Sequence, residues 1–253
     1  MGGIYSKNRP SYPRELVDRL FDEIKYDERN ARDESDVSEN TVADVGSGTG
    51  IFTRLLLERG ATVYAVEPNA DMRAVAEKEL GANKNFISVS GSADATTLAA
   101  NGVCLVTAAQ AFHWFDTRKF AAECGRVLTP GGMVALIWNV RDISQGIAAS
   151  IETINKKYCP GYEGPSGGLD FDDETIFSDF FADRYDRVIF PNDLAYDEHH
   201  FIGRCQSSSY APKPHDAHYA PYTDELRSMF HKHRTDATVI IPNTSYLFLG
   251  RVT

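Results

Sequence analysis

The stretch Val42-Ala43-Asp44-Val45-Gly46-Ser47-Gly48-Thr49-Gly50 decides the fold of this chain. Its apolar first half predicts a buried strand, and its three glycines predict a tight turn. The next residues, from Ile51 to Arg59, carry apolar side chains at helical spacing. A strand, a glycine turn and a helix in this order let the backbone approach a nucleotide-like ligand closely. Asp44 lies at the strand end, so we expect loop amides or a ligand to compensate its burial.

A second strand strengthens the interpretation as a nucleotide-like site. Thr62 to Val66 forms a strand run that ends at Glu67, and a carboxylate there can accept both hydroxyls of a ribose. The dinucleotide fingerprint requires its third glycine at position 51, where this chain has Ile51. This difference disfavours an NAD-dependent oxidoreductase. An ordinary βαβ unit with a polar strand end is the structural alternative.

Three further strand runs complete an α/β core. They are Phe86 to Val89, Val103 to Ala108 and Met133 to Trp138, and they alternate with helical patterns at 69–80 and 119–128. Five alternations of strand and helix within the first 140 residues predict a parallel sheet with helices on both faces.

Polar residues follow the third and fourth strands. Gly91-Ser92-Ala93-Asp94 offers a carboxylate and a backbone amide that suit an adenine, whereas Asp94 could instead cap a helix from Ala95 to Ala100. Gln110-Ala111-Phe112-His113-Trp114-Phe115-Asp116 follows the fourth strand. The carboxyl ends of parallel strands meet at one edge of a sheet, so we expect His113 to belong to a site rather than to be purely structural.

The composition narrows the class of partner. The 253 residues carry a net charge of −10, from 36 acidic and 26 basic side chains, which disfavours a nucleic-acid substrate. No apolar run has the length of a membrane span, and the N-terminus lacks the apolar core of a signal peptide. The four cysteines are widely spaced, which predicts free thiols in a reducing cytoplasm. The histidines do not occur at metal-ligand spacing, and we predict no metal site.

The segments outside the core are less regular. Residues 4–13 are rich in proline and aromatic side chains, and they form either a packed lead-in or a flap over the ligand. A helix is expected from Arg14 to Lys25, and residues 26–40 read as a charged surface loop. In the second half we expect helices at 143–158, 174–182, 198–208 and 223–234, a strand at 187–190, and a closing hairpin of 238–241 with 246–252.

Together these motifs resemble the class I S-adenosylmethionine-dependent methyltransferases, and among them the type 11 family and its trans-aconitate methyltransferase branch. VADVGSGTG is similar to the first motif, AVEPNADM to the ribose-binding strand end, GSAD to the adenine turn, QAFHWFD to the fourth-strand motif, and RVLTPGGMVALIW to the helix and fifth strand. YSKNRPSYP resembles the N-terminal flap, and PNTSYLFLGRV resembles the last strand. The resemblance implies a Rossmann-like α/β fold with a seven-stranded, mostly parallel sheet, helices on both faces, an antiparallel last strand and a late helical lid.

The same resemblance implies one domain over residues 1–253. Residues 1–40 would form the flap, a helix and the charged loop, residues 41–141 the cofactor-binding core, residues 142–236 the lid and substrate region, and residues 237–253 the closing strands.

The implied activity is methyl transfer from S-adenosyl-L-methionine to a small-molecule acceptor, with S-adenosyl-L-homocysteine as product. A non-catalytic S-adenosylmethionine-binding protein and an NAD-dependent oxidoreductase are the alternatives, and we expect a cytoplasmic monomer or homodimer without membrane or nucleic-acid partners. His113 is the candidate base, although a carboxylate acceptor would need none and would instead be bound by cations such as Arg9. The implied cofactor-binding residues are Tyr5, Arg9, Asp44, Gly46, Ser47, Gly48, Gly50, Glu67, Pro68, Met72, Ser92, Ala93, Asp94, Gln110 and Ala111. The implied substrate-binding residues are Tyr12, Trp114, Arg141 and Arg204.

Overall fold

A computed structural model describes residues 11–28, 40–144, 146–164, 175–182 and 184–252. The first half contains, in order, α1 (Arg14–Glu28), β1 (Thr41–Val45), α2 (Ile51–Glu58), β2 (Thr62–Val66), α3 (Ala70–Leu80), β3 (Phe86–Val89), β4 (Val103–Ala109), α4 (Thr117–Val127) and β5 (Leu128–Arg141), so helices and strands alternate except between β3 and β4. The second half contains α5 (Gly146–Tyr158), α6 (Thr175–Phe181), β6 (Tyr185–Pro191), β7 (Leu194–Tyr196), α7 (Glu198–Gln206), α8 (Tyr219–His233), β8 (Val239–Ile241) and β9 (Asn243–Gly250).

Seven strands form the main sheet in the order β3-β2-β1-β4-β5-β9-β6. The pairs among β1 to β5 are parallel, whereas β9 is antiparallel to both β5 and β6. The predicted seven-stranded, mostly parallel sheet with an antiparallel last strand is therefore confirmed. Burial explains the sequence pattern, because β1 and β4 are largely buried, and six of the seven residues of β4 are apolar.

Helices cover both faces of the sheet, as predicted. On one face α1 and α2 pack their apolar stripes against β1, β2 and β5, with Leu16 and Leu56 fully buried. On the other face α4 and α6 contribute phenylalanines to an aromatic core around Trp138. In that core the rings of Phe177 and Phe248 stack with centroids 3.8 Å apart. The core thus fixes the sheet from both sides and leaves its carboxyl edge available for a site.

The predicted closing hairpin is wrong. β8 pairs with β7 in a separate two-stranded sheet, and β9 enters the main sheet between β5 and β6. One residue, Pro242, separates the two strands, and a hairpin needs a loop of at least about two residues. The predicted turn residues Asn243 and Thr244 instead begin β9, where they pair with Arg141 and Val140.

A third apolar cluster joins α5, α7, α8 and the β7–β8 sheet, and we use the word lid as a label for these elements. It contains Ile151, Phe201, Tyr222 and Phe230 among its fully or nearly fully buried side chains. The region expected to form the lid is interrupted, because α6 packs into the aromatic core and β6 pairs with β9. The lid is therefore made of two chain segments that both start from the sheet.

Local sequence signals explain several element ends. The Asn69 side chain accepts hydrogen bonds from the backbone of Asp71 and Met72 and so caps α3, as predicted. The alternative helix from Ala95 to Ala100 does not form. All four cysteines are free thiols, and among the described residues no helix is long and apolar enough to cross a membrane.

Candidate active site

The strand order reverses between β1 and β4. The chain runs outward from β1 to β3 and then returns to place β4 on the other side of β1. Open α/β sheets bind ligands at the carboxyl ends of their strands where the order reverses. The glycine turn, defined as residues 46–50, follows β1, and the His113-containing segment follows β4. The two motifs predicted to form a site therefore meet at this edge.

The glycine turn leaves an open space in front of Gly48. Its three glycines have φ of +71°, +56° and +82°, a conformation that favours glycine. A Cβ on Gly46 would lie 2.6 Å from the Cβ of Ala111, and one on Gly50 would lie 2.6 Å from Cδ1 of Leu80. A Cβ on Gly48 would meet only Sδ of Met72, at 3.9 Å. Two glycines therefore allow close packing, and the third presents its backbone to a space that a ligand could occupy.

Asp44 lies beneath the glycine turn and is 1% exposed. Its two carboxylate oxygens accept hydrogen bonds from Oγ1 of Thr53, at 2.6 Å, and Oγ1 of Thr107, at 2.9 Å. The expectation of loop amides or a ligand as its partners is corrected, because threonines on α2 and β4 supply the donors. Burial raises the pKa of Asp44 from 3.8 to about 6, and the charge of Glu67 adds to the increase.

Glu67 joins the second strand to the glycine turn. Its Oε2 accepts from the backbone N–H of Gly48 at 2.9 Å, and its Oε1 accepts from that of Asn69 at 2.8 Å. Arg73 donates to the carbonyls of Glu67 and Pro68, at 2.7 and 2.9 Å. A carboxylate has about four acceptor positions, so Glu67 keeps capacity for two hydroxyl donors. Met72 is half-buried and borders Gly48.

The predicted adenine turn, residues 91–94, is closed by backbone hydrogen bonds. Ser92 and Ala95 exchange N–H···O bonds of 3.1 and 3.2 Å. The Ser92 hydroxyl donates to Asp94 at 2.5 Å, and this bond lowers the pKa of the exposed Asp94 carboxyl. Ala93 is half-buried within the turn. The turn therefore presents an ionised carboxylate to solvent.

The segment after β4 turns sharply at Gln110. This residue has φ +58°. Its backbone N–H donates a hydrogen bond to the Ile137 carbonyl at 2.8 Å, and its side-chain amide donates one to the Asn139 carbonyl at 2.9 Å. The chain then forms a 3₁₀ turn over Phe112–Trp114. Ala111 is buried against Gly46, whereas Trp114 is 80% exposed.

His113 is half-buried next to Trp114, with ring centroids 4.9 Å apart. Its Nδ1 atom is buried and has no hydrogen-bond partner among the described residues. Burial lowers the pKa of His113 below 6.5, so the ring is neutral at pH 7 and one nitrogen can accept a proton.

The residue that begins the described chain is tied to this edge. The carbonyl of Ser11 accepts from the side-chain amides of Asn139 and Asn192, at 3.3 and 3.0 Å. Tyr12 is buried, and its ring packs edge-on against Phe52 with centroids 4.9 Å apart. Tyr5 and Arg9, both predicted to bind the cofactor, lie outside the described residues. Ser11, where the described part of the chain begins, therefore lies at the carboxyl ends of β5 and β6.

Arg141 and Arg204 are brought together although 63 positions separate them in the chain. Arg141 ends β5 and Arg204 lies on α7, and both interact electrostatically with Tyr210 and Cys205. Burial lowers the pKa of Arg204, and the positive charge of Arg141 lowers it further. Neither arginine forms an ion pair with a carboxylate of the described residues. Among the residues that the structure describes, no carboxylate compensates the positive charge of this cluster.

Sequence reasoning did not find several residues that support the site. They are Thr53 and Thr107 under Asp44, and Glu123 on α4, which binds the loop after the adenine turn. Glu123 could have been found, because it shares the buried stripe of α4 with Phe120, Cys124 and Val127. Among the described residues no group of three or more potential metal ligands is found.

Comparisons with known proteins agree with this geometry. Residues 43–136 match the protein family described as "Methyltransferase domain". The chain is 37% identical over 140 residues to an uncharacterized methyltransferase of Mycobacterium tuberculosis, covering 55% of this chain and 51% of that protein. It is 26% identical over 136 residues to a Saccharomyces cerevisiae protein named as a probable S-adenosylmethionine-dependent methyltransferase, covering 52% of this chain and 43% of that protein.

The whole fold is also shared. A structure described as a proposed type II methyltransferase from Anaeromyxobacter dehalogenans superposes with a TM-score of 0.62 at 19% identity, and the match covers 96% of this chain and 98% of that one. The chain spans about half the length of its curated Mycobacterium relatives. Residues 43–136 are thus similar to methyltransferase domains, and the described chain shares its fold with a methyltransferase structure.

Proposed function

We propose that this protein transfers a methyl group from S-adenosyl-L-methionine to a small molecule that carries a carboxylate. The methyltransferase domain match and the glycine turn support the donor, and the name of the S. cerevisiae relative agrees with it. The acceptor proposal follows the resemblance to the trans-aconitate methyltransferase branch. The single observation that carries it is the Arg141–Arg204 pair, because two neighbouring cations without a described counter-ion favour an anionic ligand.

The residues at the sheet edge fit the methyl donor. The open space before Gly48 would admit the amino-acid end, and the remaining acceptor capacity of Glu67 would bind a ribose. Asp94 would accept from an adenine amine, with Ser92 and Ala93 beside it. The bound donor supplies a methyl group on a positively charged sulfonium, which a nucleophile displaces in line. The protein's task is then positioning, which can supply several kcal/mol of the barrier reduction.

The arginine pair lies in the direction expected for an acceptor. Ala109, the last residue of β4, is paired with Ile137, and Arg141 follows four residues further along β5. At about 3.3 Å per residue, the Arg141 backbone extends roughly 13 Å beyond that pair, toward the lid. Tyr162, Tyr196 and Tyr210 surround the two arginines. Tyr162 donates a hydrogen bond to the carboxylate of Glu152. That carboxylate forms an ion pair with Lys156 at 3.1 Å, so its charge is already compensated.

A carboxylate acceptor determines what chemistry the protein must provide. An ionised carboxylate oxygen needs no base to act as the nucleophile. The two arginines would orient the acceptor, and Trp114, one of the implied substrate-binding residues, would border it. His113 is our proposed base for an acceptor that arrives protonated, because its buried Nδ1 is unpaired among the described residues and its ring is neutral.

The acceptor class is tested by measuring S-adenosylhomocysteine release with panels of di- and tricarboxylates, phenols and amines. We expect turnover with one or more acids, and an Arg204→Gln variant should raise the acceptor KM at least about tenfold without changing S-adenosylhomocysteine affinity. Arg227→Gln is the matched control, since Arg227 is an exposed lid arginine that pairs with Asp224 at 3.3 Å. Turnover confined to phenols or amines would overturn the carboxylate proposal, and binding without any turnover would favour a non-catalytic S-adenosylmethionine-binding protein.

A further inference from the structure

Glu123 is one of the few buried charged residues of the described chain, together with Asp44 and Glu67. It is 9% exposed and lies on α4, away from the strand ends where the other two carboxylates lie. Its Oε1 accepts from both the backbone N–H and the hydroxyl of Thr96, at 2.8 and 2.5 Å. A buried carboxylate needs such compensation, but packing alone gives no reason to place one in this apolar stripe.

Arg126 completes the arrangement one helical turn later. It donates to both oxygens of Glu123, at 2.7 and 2.8 Å, and its third nitrogen donates to the Leu98 carbonyl at 2.8 Å. Hydrogen bonds from Arg126 in the first place, and from Thr96, lower the pKa of Glu123 to about 2, so it is ionised at all physiological pH values. One ion pair on α4 therefore holds the loop at Thr96 and at Leu98.

The residue between these two attachment points is strained. Thr97 has φ +65°, which is rare for a β-branched residue and costs of order 1–2 kcal/mol. Such strain persists only where neighbouring contacts hold it, and strained residues cluster at binding sites. The contacts that hold Thr97 are those of Glu123 and Arg126 on either side, together with a 3.3 Å bond from the Leu98 N–H to the Thr96 hydroxyl.

The strained loop is continuous with the adenine turn. Ala95, which precedes Thr96, exchanges backbone hydrogen bonds with Ser92. The Thr96 carbonyl lies so close to Gly91 that a Cβ there would come within 2.7 Å of it. A displacement of Thr96 would therefore move both ends of residues 91–95.

We propose that Glu123 is a positioning residue that sets the shape of the adenine turn and so the recognition of the adenine of the methyl donor. The inference rests on the proposed function, because it assumes that residues 92–94 contact adenine. Glu123 does not touch the ligand; it acts through Thr96, and Arg126 keeps its carboxylate charged and oriented.

The test separates adenine positioning from a general stabilising role. Binding of S-adenosylhomocysteine and of S-inosylhomocysteine, which has an oxygen in place of the adenine amine, is measured by calorimetry for the wild type and for Glu123→Gln. The glutamine is nearly isosteric and can still accept from Thr96, but it loses the ion pair with Arg126. Glu77→Gln is the matched control, because the Glu77 carboxylate accepts from the Ser88 hydroxyl on strand β3, at 2.6 Å, and from no other side chain of the described residues.

We expect the wild type to prefer S-adenosylhomocysteine, and Glu123→Gln to bind it about tenfold more weakly while S-inosylhomocysteine loses less than about threefold. The stoichiometry should stay at one and Glu77→Gln should match the wild type. An equal loss of affinity for both ligands in Glu123→Gln would assign Glu123 a structural role only and overturn the inference. Equal affinity of the wild type for the two ligands would overturn it as well. A wild type that binds neither would contradict the proposed function itself.

Discussion

Replacement of Asp44 by asparagine tests how the buried acid under the glycine turn affects folding. The carboxylate is 1% exposed, accepts from two threonine hydroxyls, and has a pKa near 6 because burial disfavours its charged form. Asparagine has nearly the same shape and cannot ionise; its oxygen can accept from one of the two threonine hydroxyls, and its amide N–H can donate to the oxygen of the other. The variant therefore removes the titration while leaving the packing in place.

The sign of the effect follows from proton linkage. The folded pKa of Asp44 lies above its unfolded value of 3.8, so the folded state holds the proton more tightly and loses stability as the pH rises from about 4 to about 6. Between 3.8 and about 6 the full cost is roughly 3 kcal/mol, of which roughly 1 kcal/mol is already present near pH 4.5. Relative to the wild type, Asp44→Asn should thus gain about 2 kcal/mol of unfolding free energy between pH 4.5 and 7.5.

The assay is urea unfolding of both proteins at about pH 4.5 and pH 7.5. Comparing the difference between variant and wild type at each pH cancels other groups, including Glu123, whose low pKa acts in the opposite direction. A matched Asp44→Ala variant should be less stable than Asp44→Asn, because it leaves the two threonine hydroxyls without an acceptor. If the difference in unfolding free energy between Asp44→Asn and the wild type is equal at the two pH values, the conclusion that Asp44 is a buried acid with a raised pKa is refuted.

Three further changes test separate parts of the structure. Gly46→Ala should lower the unfolding free energy by about 2 kcal/mol or more and abolish S-adenosylhomocysteine binding, because residue 46 has φ +71° and the added Cβ would collide with Ala111. Unchanged binding in calorimetry would exclude the close packing of Gly46 against Ala111. Thr97→Gly should raise the unfolding free energy by about 0.5–1 kcal/mol, since glycine adopts φ +65° without strain. A lower melting temperature than that of the wild type would argue against strain at Thr97. Phe177→Ala should cost about 3–5 kcal/mol by opening a cavity against Phe248, whereas a melting temperature within 2 °C of wild type would contradict the aromatic core.

The sequence predicted the parallel part of the fold well because its signals are local. β1, the glycine turn and α2 are adjacent in the chain, and Glu67 closes the next strand, so periodicity and glycine spacing were sufficient. The last strand could not be predicted in the same way. Whether β9 pairs with β8 or with β5 and β6 depends on contacts more than 50 residues apart, such as Arg141 with Asn243.

The site shows the same division. The strand-end motifs were identified from residue type, whereas the partners of Asp44 lie 9 and 63 positions away and belong to other elements. Arg141 and Arg204 were each named as substrate residues by resemblance, but their proximity depends on how the folded chain places α7 relative to the end of β5. Long-range side-chain pairs of this kind depend on the assembled core, which a single sequence does not specify locally.

The central claim is that the edge between β1 and β4 binds the methyl donor. Calorimetric titration of the wild-type protein with S-adenosylhomocysteine, and separately with NADH, tests it most directly. The account predicts one site for S-adenosylhomocysteine and no binding of NADH, since Ile51 replaces the third glycine of the dinucleotide fingerprint. Binding of NADH without binding of S-adenosylhomocysteine would contradict it.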